Sequence, residues 1–138
     1  MLEIEFIKEI DKDIRKLKSC EFRKYARKND IDIDFTEFNF IAKENGDVVG
    51  ILMGCTLYGE VQVEDLIVFE NHRGKGIGTK LMQKVETHFK DKEFDNINLV
   101  TSEFQSPEFY KKLGYEVEFV RKNKKNPKLT KYFFVKYF

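Results

Sequence analysis

Three glycines separated by single residues, Gly74, Gly76 and Gly78, stand between a β-rich run (Val61, Val63, Leu66, Ile67, Val68) and an amphipathic helical pattern. A strand that turns into a helix through alternating glycines is a local architecture with few uses. The first N–H groups of a helix have no partner within it and carry the positive end of its dipole, so they suit an anion. Glycines remove the β-carbons that would hold a bulky diphosphate away from the main chain. Two familiar phosphate loops are excluded by spacing. A Walker loop needs Gly-Lys followed by Ser or Thr, and Lys75 is followed by Gly76; the dinucleotide fingerprint needs glycine where Thr79 stands.

Around this junction the chain reads as an alternation of strands and helices. Leu2 to Ile7 alternates apolar and charged residues as a first strand, and Asp11 caps a helix carrying Ile14, Leu17, Phe22 and Tyr25 that ends near Asn29. Ile31 to Glu37 reads as a loop. Phe38 to Glu44 and Val48 to Leu57 flank Asn45-Gly46, a pair suited to a tight hairpin because both central positions need positive φ. After a reversal at Gly59, the strand that feeds the glycines leads to a helix from about Gly76 to Lys92, with Ile77, Leu81, Val85 and Phe89 on one stripe. Asp95 to Thr101 is a fifth strand. Ser106, Pro107 and Gly114 mark the cap, first position and stop of a short helix, and Tyr115 to Arg121 and Leu129 to Phe138 are two final strands. This order predicts a single α/β sheet with helices on both faces.

Length and composition narrow the rest. At 138 residues the chain suits one domain, residues 1–138, rather than two. Its net charge of +1 gives no global case for a nucleic-acid or membrane surface, and the basic run from Arg121 to Lys131 reads as a solvated loop. No signal-like segment and no membrane-length apolar run is expected, which points to a cytoplasmic protein. Cys20 and Cys55 are expected as buried, reduced thiols. His72 and His88 read as surface histidines, and no Cys, His and carboxylate cluster suggests a metal.

The pattern Arg73-x-x-Gly76-x-Gly78 resembles the GNAT superfamily of acetyl-coenzyme A dependent N-acetyltransferases. A second block strengthens the match: Phe104-Gln105-Ser106-Pro107-Glu108-Phe109-Tyr110-Lys111-Lys112-Leu113-Gly114-Tyr115 is similar to the family's Phe-Tyr-x-x-x-Gly-Tyr/Phe helix. Glu70 replaces a frequent proline, and Glu103 and Ser106 stand where members often have asparagine and alanine. The resemblance implies a mixed, mainly antiparallel sheet of about seven strands in which the fourth and fifth splay apart around the pantetheine arm. It implies acetyl-coenzyme A as cosubstrate, with no metal, and a primary amine as acceptor, attacked directly in a ternary complex.

Residue roles follow from the same resemblance. Leu66 would present its N–H to the acetyl carbonyl, where it meets charge that develops in the transition state. Ile67 and Val68 would line the pantetheine, Val68 holding it by main chain. Arg73, Gly74, Lys75, Gly76, Ile77, Gly78 and Thr79 would seat the diphosphate. Tyr110 would contact the coenzyme and act as acid toward the departing thiolate, placed one residue off the Phe109–Leu113 stripe and so away from the core. Glu64 or Asp65 would relay the amine's proton, Glu64 being favoured because it shares strand parity with Leu66. Acidic residues near the expected acceptor side (Asp32, Asp34, Glu60, Glu64, Glu103) suit a small cationic amine. A coenzyme-binding sensor without turnover is the other reading, and the protein is expected to be a monomer or a homodimer.

Overall fold

The computed structural model describes residues 1–138, which form two compact units, Met1–Ile33 and Asp34–Phe138. The first unit holds helix α1 (Lys12–Lys28). Its start is fixed as the sequence suggests, with the Asp11 carboxylate accepting from the Ile14 N–H at 2.9 Å. No strand forms over Leu2–Ile7. An alternating pattern supplies one faced edge of a ladder, and this unit contains no second strand to pair with it. The sheet therefore has six strands rather than about seven.

The second unit contains that sheet: β1 (Thr36–Glu44), β2 (Asp47–Leu57), β3 (Glu60–Val68), β4 (Asn96–Ser102), β5 (Glu116–Arg121) and β6 (Lys131–Tyr137), in spatial order β1-β2-β3-β4-β6-β5. Every neighbouring pair is antiparallel except β3 with β4. The β1–β2 turn uses Asn45 and Gly46 at φ +52° and +85°, as the hairpin reading requires. Helices α2 (Ile77–Phe89) and α3 (Pro107–Lys112) follow β3 and β4.

The core is built from the stripe legible on α2. Leu81, Val85 and Phe89 are buried together with Met82 against Leu52, Val61, Val63, Ile97, Leu99 and Phe134 of the sheet. Tyr110 and Tyr115 complete the cluster, so α3 reaches the same core as α2. Cys55 is buried as expected; Cys20 is exposed, on a helix that buries none of its residues.

Two irregularities position the site. First, β3 and β4 pair only over Glu60–Val63 and Asn96–Leu99, and beyond that point no bridge joins them. The two strands part there, as the family resemblance implied. Second, β3 carries a bulge: Met53 lies opposite Asp65 and Gly54 opposite Val63, which leaves Glu64 as the extra residue. Val63 and Leu66 consequently both face the core although they are three apart.

Candidate functional site

Where β3 and β4 part, a cleft of about 1000 Å³ opens, walled on one side by residues from Leu66 to Thr79 and on the other by residues from Phe104 to Lys112. Its floor and entrance follow from the glycine loop. After β3 the chain makes one turn of tight helix over Glu70–His72, then passes through Gly74 and Gly76 at φ +80° and +79°. Gly76 is the N-cap of α2, and its left-handed backbone costs a β-carbon-bearing residue about 1–2 kcal/mol. No side chain caps this end. The bond from the Lys80 N–H to the Gly76 carbonyl, 3.0 Å, opens the helical ladder, so the N–H groups of Ile77, Gly78 and Thr79 precede the first possible intrahelical donor. All three residues line the cleft. A β-carbon on Gly78 would lie 3.2 Å from the Phe109 ring of α3, so the third glycine lets the two cleft-lining helices approach.

Most of the expected site residues are gathered here. Leu66, Ile67, Val68, Arg73, Gly74, Gly76, Ile77, Gly78, Thr79 and Tyr110 all line the cleft. The Arg73 side chain folds back, its Nε donating to the Val68 carbonyl at 2.8 Å, so the arginine braces the end of β3 as well as facing the cleft. Lys75 is the one residue between 73 and 79 that does not line it; its ammonium instead lies 3.5 Å from the Glu44 carboxylate.

Three expectations need correction. Glu64 and Asp65 do not line the cleft. The parity argument for Glu64 fails because the bulge inserts that residue, after which Leu66 turns to the core and both acids are left exposed. Tyr110 does not point away from the core. It is 8% exposed and packs against Phe109, Tyr115 and Phe134, with ring centroids 5.0, 6.2 and 5.7 Å away. The cause is the shortness of α3: a six-residue helix wedged at the strand gap has neighbours on more than one side, so a single stripe does not divide core from solvent.

Burial pushes the Tyr110 hydroxyl up to about 12, with desolvation as the only cause. No buried side-chain oxygen lacks a partner, and no protein group contributes a hydrogen bond to this shift, so the Tyr110 oxygen is left without a protein partner on a residue that lines the cleft. Ser106, expected as a side-chain cap for α3, adopts φ +61° and makes no capping bond; it lines the cleft instead. Sequence reasoning also passed over His72, Phe104, Gln105, Glu108, Phe109 and Lys112 as lining residues. Only their position inside the two motif blocks could have marked them.

The acetyltransferase (GNAT) family profile matches residues 4–115, most of the chain. The chain belongs to the GNAT acetyltransferase family. Among curated relatives of this GNAT chain, blasticidin-S acetyltransferase from Streptomyces morookaense is 33% identical over 76 residues, 54% of this chain and 55% of that one. The chain thus spans about half the length of this relative. An acetyltransferase structure from Bacillus cereus ATCC 14579 superposes with a TM-score of 0.79 at 25% identity, over 97% of this chain and 98% of its own. An aminoglycoside 6′-N-acetyltransferase complexed with coenzyme A shares the fold at a TM-score of 0.63 and 21% identity, over 73% of this chain and 72% of that one.

Proposed function

We propose that the Asp34–Phe138 unit of this GNAT protein binds acetyl-coenzyme A and transfers its acetyl group to a primary amine, with a small cationic acceptor as the preferred class. The observation that carries this reading is the uncapped start of α2, whose Ile77, Gly78 and Thr79 amides open into the cleft between the parted strands. The diphosphate would sit on those amides, the pantetheine would run along Leu66 to Val68, and the thioester would reach Tyr110. The curated relative is named for acetylating blasticidin-S, and a protein of the same fold holds coenzyme A, which supports the donor and the reaction class.

In the reaction, the lone pair of a neutral amine attacks the acetyl carbon. The carbonyl electrons move to oxygen and are met by the Leu66 N–H; collapse expels the thiolate and leaves the amide. The proton lost by the amine nitrogen finally neutralises the sulfur. Magnitude decides the part of Tyr110. A hydroxyl near 12 is a much weaker acid than a thiol, ordinarily about 8.5, so outright transfer from Tyr110 to the thiolate is uphill by several kcal/mol. Its role is therefore to donate a hydrogen bond to the sulfur while the proton arrives through water. Neither Glu64 nor Asp65 borders the cleft, and Glu108, which does, is paired with Lys111, so water takes the amine's proton and Glu64 or Asp65 would act only at a distance.

The absence of Glu64 and Asp65 from the cleft lining, whose one carboxylate, Glu108, is paired with Lys111 at 2.9 Å, favours one alternative, a coenzyme-binding module without turnover. Calorimetric titration with acetyl-coenzyme A, paired with thiol release across a panel of polyamines, aminoglycosides and amino-acid amides, separates the two. Binding with thiol release on at least one amine supports the transferase; binding with none across the panel supports the sensor; absence of binding removes both.

A further inference from the structure

The loop residue that turns away from the cleft, Lys75, does so toward a carboxylate. Glu44 ends β1, immediately before the Asn45–Gly46 turn, and one of its oxygens, Oε2, lies 3.5 Å from Lys75 Nζ and 3.2 Å from His72 Nδ1. Partial desolvation pushes this carboxyl up, but the Lys75 charge and the hydrogen bonds from His72 and Lys75 outweigh it and leave it below its ordinary value. His72 lines the cleft; Lys75 is flanked by Gly74 and Gly76, which do as well. Its ammonium is thus one flexible side chain from the expected diphosphate. Arg73, the other basic side chain of the loop, has its Nε committed to the Val68 carbonyl.

Resting on the coenzyme reading above, we propose that Glu44 is an internal counter-ion of the diphosphate seat, competing with the coenzyme's phosphates for Lys75. A lysine is a point charge on a mobile stem, so it passes from a carboxylate to a phosphate without a change in the backbone. Glu44 lowers coenzyme affinity in two ways of the same sign. It must be abandoned by Lys75, and it leaves a negative charge near incoming negative charge. The opposing effect, that Glu44 steadies the loop through His72, is small because both partners are partly exposed. The Lys75 pair is at least as exposed and as weak, so the sign is decided by the like charge that Glu44 leaves beside the incoming phosphates; a seat that holds its anion less tightly frees spent coenzyme sooner.

The test is a double-mutant cycle of Glu44→Gln and Lys75→Met, read as coenzyme A affinity by calorimetry at low and high salt, with thermal unfolding to confirm that each variant folds. Glu44→Gln should bind coenzyme A about threefold tighter at low salt, with the gain reduced at high salt and a lower KM for acetyl-coenzyme A. Lys75→Met should bind about threefold more weakly, and in its background the gain from Glu44→Gln should shrink. Unchanged or weaker binding by Glu44→Gln, or an equal gain with and without Lys75, overturns the competition. If the unaltered protein binds no coenzyme A, it is the functional reading that fails; if it binds and the cycle is additive, only this inference does.

Discussion

Tyr110 shows how burial alone assigns chemistry to a side chain. Held near 12, its hydroxyl stays protonated across the neutral pH range, so in the proposed reaction it would serve as a donor and not a switch. Tyr110→Phe should accordingly reduce kcat about tenfold, the scale of one hydrogen bond, while the Kd for acetyl-coenzyme A changes less than twofold. The pH–rate profile should rise as the acceptor loses its proton and show no falling limb from Tyr110 until pH passes about 11; a limb near pH 8 to 9 that vanishes in Tyr110→Phe would contradict the assignment. At this scale the sequence was a partial guide. Tyr110 could be found because a motif surrounds it. Its orientation could not, because that depends on Phe134 and Tyr115 arriving from β6 and the end of α3. Glu64 lies off the cleft for a different reason: strand parity is legible in a sequence, whereas a bulge is set by the partner strand.

Elements were the most legible scale. The Ile77–Leu81–Val85–Phe89 stripe, the Asn45–Gly46 hairpin and the glycine junction each carry their cause within a few residues, and each is present. The strand expected over Leu2–Ile7 had only alternation behind it, and alternation without a pairing edge does not make a strand. The bulge in β3 has its own support in β2. A β-carbon on Gly54 would collide with the Gln62 carbonyl oxygen and with the Phe38 ring, so glycine is needed for β2 to pass the kink. Gly54→Ala should cost about 3 kcal/mol, measured by chemical denaturation, because a backbone oxygen has to move. Gly46→Ala serves as its comparison: no atom lies within 4 Å of the added carbon there, and only the positive φ is paid, about 1 kcal/mol. Equal losses at the two positions would show that the clash relaxes freely and that β2 does not hold the bulge.

For the molecule as a whole, the Asp34–Phe138 unit places its catalytic candidates and its stability in the same aromatic cluster. Tyr110 and Tyr115 are both buried, and both hydroxyls are pushed above their ordinary value, Tyr115 by desolvation first and then by the Glu86 carboxylate with which it hydrogen-bonds. The folded state thus holds these protons more tightly than the unfolded chain. Stability should be fully present below pH 10 and fall as pH rises from about 10 toward 12, followed as Tm against pH; replacing both tyrosines with phenylalanine should flatten that slope. The α/β class could be inferred from element order, and the mainly antiparallel sheet with its parting of β3 and β4 from family resemblance; the strand order and the division at Asp34 could not, since no composition change marks the latter. The central claim is tested most directly by a crystal structure of the protein with acetyl-coenzyme A. The account predicts the diphosphate within hydrogen-bond reach of the Ile77, Gly78 and Thr79 amides and the thioester sulfur beside the Tyr110 hydroxyl; a coenzyme bound elsewhere, with those amides facing solvent, would contradict it.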